Sequence, residues 1–378
     1  MTPLDRRHFL AMAAATALPF PATAQPRRSP LIVNALGGLY DPNAAPGPAN
    51  AGVEAPVRES VSQRLIDDAR ASGMNAVNMT LGYVAGDREP FEQTVEEIAT
   101  WDWKIRQRPE DLMKILTATD ILRARRENKL GLIYGFQNGA MLGSNARRAD
   151  IFADLGVRIV QLTYNPANRL GDGSMAAENR GLTPFGRSVV ERLNANRIMV
   201  DLSHSGERTC LDAARLSSQP ISINHTGCRA LTDMPRNKSD AELRLVAERG
   251  GFVGIYFMPF LSPDSVATAD DVAAHLEHAL SVCGEDHVGI GTDGGTTAID
   301  DMAAFRAKIR AEIAERRRSG IGARGENPDT LPFVEELSGP DQFRRLIALL
   351  ERRRHPARRI EKIMGVNFVN FAREVWGE

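Results

Sequence analysis

The sequence predicts a single α/β domain, a (β/α)8 TIM-like barrel, and three observations predict it. Eight short apolar runs, each too brief for a helix, recur along the chain between polar boundaries. Most are separated by stretches with apolar residues at helical spacing, the alternation that builds a parallel barrel. Several runs stop on residues that carry chemistry, and the carboxyl ends of barrel strands are where catalytic groups gather.

Residues 31–36 form the first predicted strand, which breaks at Gly37-Gly38 and enters a Pro/Gly/Ala-rich loop over 40–56. A helix is expected over 60–72 and a second strand over 74–81. The charged stretch 90–128 carries Trp101, Ile105, Leu112, Ile115 and Leu122 at helical spacing and predicts helices outside the barrel. The third strand, 130–136, ends on Gln137 and Asn138; the fourth, 157–163, ends on Tyr164 and Asn165. Ile198, Met199 and Val200 form the fifth, which stops on Asp201, Ser203 and His204. After a helix over 207–216, the sixth ends on His225. A helix over 239–249 precedes the seventh strand, 251–258. A helix over 270–283 precedes the eighth, 287–291, which runs into Thr292 and Asp293. The tail, 341–376, reads as helical.

The chain has 378 residues, 43% hydrophobic and 25% charged, which fits a globular barrel rather than a disordered chain or a membrane bundle. Its 47 basic and 48 acidic side chains give no field that would collect nucleic acid. Arg6-Arg7, followed by Phe9-Leu10, an apolar stretch to Leu18 and Ala22-Thr23-Ala24, looks like a bacterial twin-arginine export signal. The expected organisation is therefore a signal over 1–24, passed to the twin-arginine machinery, and one barrel domain over 25–378 in the periplasm or outside the cell. The apolar stretch is too short for a stable membrane anchor. Cys210, Cys228 and Cys283 are odd in number and widely spaced, and read as buried free thiols.

Under the barrel reading, Gln137, Tyr164, His204, His225 and Asp293 converge at one mouth. Two neutral imidazoles and a carboxylate suit a divalent metal such as zinc, with a position left for water. A histidine after one strand is more often a hydrogen-bonded loop residue, but two at successive strand ends weigh against that reading. Arg236 follows the sixth strand closely enough to clamp a substrate carboxylate with two hydrogen bonds, and its plainer alternative is a loop ion pair to Asp233 or Asp240. Asn237 stands beside it as a further substrate-binding candidate. His275 and His278 read as packing or surface residues, His287 starts a strand at the wrong end, and His355 falls on a solvated basic face.

The segments LTPFGRSVVERLNANRIMVDLSHSG, NHT, PRN, ERGGFVGIYF, HVGIGTDG and IEKIMGVNF match in order and spacing the membrane dipeptidase family of zinc hydrolases. The resemblance runs from Leu31 to the C-terminus. It implies a barrel that cleaves the peptide bond of dipeptides at a two-metal site, often as a homodimer. His204 and His225 resemble the family's zinc-binding histidines, Asp293 its ligand after the last strand, and Arg236 the residue that meets the substrate carboxylate.

Four positions depart from that pattern. The family's Asp-Gly-His-Asn-Asp after the first strand is Asn34-Ala35-Leu36-Gly37-Gly38, so the His-x-Asp ligands become Leu36 and Gly38. The bridging glutamate is Gln137, and the histidine after the fourth strand is Tyr164. Neutral Gln137 cannot offset the repulsion of two cations; Asp41 and Glu54 in the loop after the first strand stay open as substitute ligands, though no spacing argument supports them. The expectation is a hydrolase of small peptide-like substrates with one divalent ion per chain on His204 and His225. Asp293 would serve as ligand or general base, Tyr164 as oxyanion donor, and Gln137 as a partner for a substrate amide. The alternative is a metal-free binding or peptide-maturation protein on the same scaffold.

Overall fold

The computed structural model describes residues 29–44 and 59–378. The export signal and Glu54 lie outside the described residues. Nine strands form one parallel sheet: β1 (Val33–Gly37), β2 (Ala76–Thr80), β3 (Leu112–Lys114), β4 (Leu130–Phe136), β5 (Val157–Gln161), β6 (Met199–Asp201), β7 (Ser222–Thr226), β8 (Phe252–Ile255) and β9 (Val288–Ile290). Eight follow the path β1-β2-β4-β5-β6-β7-β8-β9, and β3 pairs only with β4 at its side.

The path closes between β1 and the turn after β9. Asp293 N–H donates to Leu36 O at 2.9 Å, Gly38 N–H donates to Gly294 O at 3.3 Å, and the Asn34 side chain exchanges two 2.8 Å bonds with Thr292. Gly37 is required here, because a Cβ would lie 2.2 Å from Asn34 Nδ2 and 2.7 Å from Gly294 O. The Gly37 that breaks the apolar run in sequence thus serves the barrel's closure.

The helices are α1 (Gln63–Ala71), α2 (Pro90–Gln107), α3 (Ala118–Arg126), α4 (Arg148–Asp154), α5 (Pro184–Ala195), α6 (Glu207–Leu216), α7 (Asp240–Glu248), α8 (Ala269–Cys283), α9 (Met302–Arg318), α10 (Gln342–Arg352), α11 (Ala357–Glu361) and α12 (Asn367–Trp376). Their starts follow from local chemistry. Thr117, Ser239 and Thr268 each accept from the backbone three residues on, while Asp120, Glu242 and Asp271 reach back to close capping boxes. Pro90 and Pro184 open α2 and α5, where a missing N–H costs nothing.

The amino-terminal ends of the strands are sealed by α12. Phe368, Phe371, Val375 and Trp376 pack with Val33, Ala76, Ile133, Ile159, Met199 and Phe252 in one buried cluster. The opposite end is left for the site.

Two segments differ from the sequence expectation. Leu112 and Met113, placed on a helix by their spacing with Ile115, instead form β3, because pairing to Leu130 and Gly131 satisfies their backbone. Residues 295–340, where no element is expected, contain α9. Its Phe305, Ile309 and Ile313 recur every four residues but bury against a small cluster of their own, apart from the main core. The three cysteines are buried and free, as expected.

Candidate active site

The β6 and β7 ends are tied by one buried carboxylate. Asp201 accepts from Ser203 N–H at 3.0 Å, Ser203 O–H at 2.5 Å and Asn224 N–H at 3.0 Å, and Ser203 Oγ in turn accepts from His225 N–H at 3.1 Å. Burial pushes the Asp201 pKa up, and these donors pull it back. Polar residues after an apolar strand thus fix the backbone at Ser203, next to His204, and at His225.

His204 and His225 bring their Nε2 atoms within 3.0 Å of each other. Both are buried, and burial, reinforced by the positive charge of Arg236, holds both imidazoles well below their usual pKa. Tyr164 stacks on His204 with ring centroids 4.2 Å apart, and its own pKa is pushed up to about 12, first by burial and then by Asp293. Gln137 Nε2 lies 3.5 Å from both His225 Nε2 and Asp293 Oδ1, at the limit of hydrogen bonding.

Asp293 adopts φ 58°, a left-handed conformation rare outside glycine and characteristic of functional turns. Burial pushes its pKa up to about 6, against the opposing pull of Arg236 and the Gln137 amide. Tyr164, Asn165, His204, Arg236, Tyr256 and Asp293 line a cavity of about 180 Å3, roofed by residues after α9 that include Ile321 and Glu326. A larger apolar cleft of about 540 Å3 lies beside Tyr40 and α9, and no histidine lines it.

Arg236 is the most informative of these residues. It is only 4% exposed, and among the described residues its guanidinium makes one hydrogen bond, from Nη1 to Ser203 O at 2.5 Å. Among the described residues it forms no ion pair, so the alternative of a loop salt bridge to Asp233 or Asp240 is not realised. A buried guanidinium without a carboxylate is costly unless a ligand supplies one.

Asn237 is a correction. Its Nδ2 donates to Thr232 O at 2.8 Å and Phe260 O at 3.0 Å, and its Oδ1 accepts from Tyr256 O–H at 2.5 Å. Every polar atom of its amide is committed to holding the loop. Asn138 is likewise spent on Val84, Ala140 and Asn168. His355, expected on a solvated face, instead pairs with Glu277 at 2.9 Å. Asn165 and the roof after α9 escaped the sequence reading. The first was signalled by its place beside Tyr164, whereas nothing in the sequence marks the second.

The donor set can be tested for a metal from its hydrogen bonds. Asn165 Nδ2 donates to Ile321 O at 2.8 Å, which turns its Oδ1 toward His204 Nδ1 at 2.7 Å. His204 therefore carries its proton on Nδ1 and presents a bare Nε2, as a metal ligand must. The His225 Nδ1 atom is buried without a partner. Two convergent imidazoles suit a single ion, but not the two-ion centre, since Leu36 and Gly38 hold no donor. Among the described residues, no three His, Cys, Asp or Glu side chains gather closely enough to hold an ion. Asp293, expected as the third ligand, forms no such group with the two histidines, and the Gln137 amide contacts both His225 and Asp293.

The fold and this mouth define a class: a parallel (β/α)8 barrel with imidazoles on successive strand ends. The sequence pattern of the membrane dipeptidase family (peptidase family M19) matches residues 63–321, and the chain belongs to that family of metallohydrolases. An amidohydrolase from Pseudomonas aeruginosa is similar in structure, with a TM-score of 0.77 and 30% identity over 92% of this chain and 97% of that one. A dipeptidase of family M19 shares the fold at a TM-score of 0.68 and 22% identity, over 83% of this chain and 89% of that one. The fungal dipeptidase tcpJ of Claviceps purpurea is 29% identical over 68% of this chain, but the match spans only 54% of that protein. Among the described residues, no helix is long and apolar enough to cross a membrane.

Proposed function

We propose that the chain hydrolyses small peptide-like amides with a free carboxylate, using one divalent ion held by His204 and His225. The observation that carries this reading is the buried, carboxylate-free guanidinium of Arg236 in the same small cavity as His204 and Asp293. The match to a dipeptidase family supports the same substrate class.

In this reading Arg236 anchors the substrate carboxylate through its planar fork. The cavity, at about 180 Å3, admits a molecule no larger than a short peptide. His204 and His225 would hold the ion, which would supply Lewis acidity for the hydrolysis. Asp293 takes the proton from the attacking water, helped by a carboxylate whose pKa stands near 6. Tyr164, kept protonated by burial, donates a hydrogen bond to the oxyanion that develops. In the same reading Gln137 binds the substrate amide. The protein is proposed to act in the periplasm after twin-arginine export, as a homodimer.

A second reading is favoured by the Gln137 amide between His225 and Asp293, which leaves only two imidazoles as close donors. On that reading the same cavity binds the carboxylate ligand without cleaving it. Elemental analysis of the processed protein, followed by a dipeptide screen, separates the two. About one zinc or similar ion per chain with turnover supports hydrolysis. No ion after zinc is added back, together with a ligand-induced thermal shift unaffected by chelator, supports binding alone.

A further inference from the structure

We infer that Asn165 is a positioning residue that couples the roof of the cavity to the proton position on His204. The inference deepens the functional reading above and rests on it for its consequence, though not for its geometry.

Asn165 is 3% exposed and immediately follows Tyr164 in the loop after β5. An amide side chain can face a neighbour with either its oxygen or its nitrogen, and only the surrounding network decides which. Here the decision comes from the roof. Ile321 O accepts from Asn165 Nδ2 at 2.8 Å, and a carbonyl can only accept, so nitrogen must face the roof and oxygen must face His204. The Oδ1 atom then lies 2.7 Å from His204 Nδ1, where it can only accept the imidazole proton.

The roof is itself held in place. Ile321 N–H and Gly322 N–H donate to Arg316 O at 3.0 and 3.1 Å, closing the end of α9. Arg316 pairs with Glu326 at 2.9 Å, and Glu326 accepts from Ala323 N–H at 3.2 Å. This compact corner aims one carbonyl at Asn165. The contact of Gln137 with His225, at 3.5 Å, is too long to compete in setting the proton positions.

The chain of cause runs from the docked roof, through one amide, to the tautomer of His204. With the roof in place, Nε2 of His204 is bare and directed at His225. With the roof displaced, Asn165 loses the partner that orients it, and His204 loses the acceptor that holds its proton on Nδ1. The roof that covers the cavity therefore also prepares the imidazole beneath it.

The test reads the tautomer directly, by 15N imidazole spectra of the full metal-free chain, with the His204 signals assigned by their loss in His204→Gln. The wild type is expected to show Nδ1–H at His204. Asn165→Leu, similar in size but without hydrogen bonds, is expected to move the proton to Nε2 or to mix the two forms, and to weaken zinc binding about 10–100-fold. If Asn165→Leu does not fold, Asn165→Ala is read in the same way. Asn165→Asp keeps an acceptor for His204 but cannot donate to Ile321 O. It should retain Nδ1–H while speeding tryptic cleavage at Arg316, Arg317 or Arg318.

An unchanged tautomer in folded Asn165→Leu or Asn165→Ala, or unchanged cleavage in Asn165→Asp, overturns the coupling. A wild type that binds no zinc and cleaves no dipeptide defeats the functional reading but leaves the tautomer result standing.

Discussion

His204 Nε2 faces His225 Nε2 at 3.0 Å, and the hydrogen bond from His204 Nδ1 to Asn165 leaves the first of these nitrogens bare. In the ion-free chain, His225 must therefore donate from Nε2. That leaves its buried Nδ1 atom unpaired. A cation between the two rings would require the His225 proton to move to Nδ1, which frees both Nε2 lone pairs for it.

His204→Ala and His225→Ala should each abolish hydrolysis and weaken zinc binding by more than the roughly 10–100-fold that loss of a supporting outer partner costs. Calorimetric titration of zinc and a dipeptide assay measure the two effects. Retained turnover in either variant would sink the proposed mechanism.

Arg236→Lys keeps a cation but loses the planar fork. The KM for a dipeptide should rise by about thirtyfold, or about 2 kcal/mol, with a smaller change in kcat. Substrates with the carboxylate blocked as an amide provide the control, because the wild type should discriminate against them more strongly than the variant. Equal discrimination by both proteins would remove Arg236 from carboxylate binding.

Gly291, after β9, has no room for a side chain, since a Cβ would lie 1.9 Å from Asn224 O. Overpacking against backbone cannot be relieved by a rotamer change. Gly291→Ala should cost about 3 kcal/mol or more and lower Tm by several degrees in a calorimetric scan. A melt indistinguishable from the wild type would show that the barrel can spread at this point.

Glu277 on α8 is held to a pKa of about 2, against an ordinary 4.5, first by hydrogen bonds from Arg353 and then also by His355. A carboxylate depressed on folding stabilises the native state above its unfolded pKa and loses that effect as pH falls through the folded value. Wild-type stability should therefore decline between about pH 4.5 and pH 2 more steeply than that of Glu277→Gln. Chemical unfolding at several pH values checks this, and parallel curves for the two proteins would remove Glu277 from the acid response.

Much of this protein could be read along its sequence because the relevant physics is local. Eight apolar runs with intervening helical periodicity determined the barrel. Residues that end those runs must lie at its mouth, so Gln137, Tyr164, His204, His225 and Asp293 were legible as one constellation. The missing donors at Leu36 and Gly38 were equally plain, since neither side chain can bind a metal whatever the fold does.

Other features depend on partners far away in the chain. Leu112 and Met113 became a strand because β4 offered them hydrogen bonds, overriding their helical spacing. Asn237 left the candidate site because Thr232, Phe260 and Tyr256 consume its amide, whereas Arg236 stayed because no carboxylate reaches it. The orientation of Asn165 depends on a carbonyl 156 residues away, Ile321 O. Sequence alone determined which chemical groups reach the mouth, because strand ends are set by local patterning. Only the tertiary structure decided which of those groups remain free to act, because each hydrogen bond made across the fold removes a donor or acceptor from chemistry.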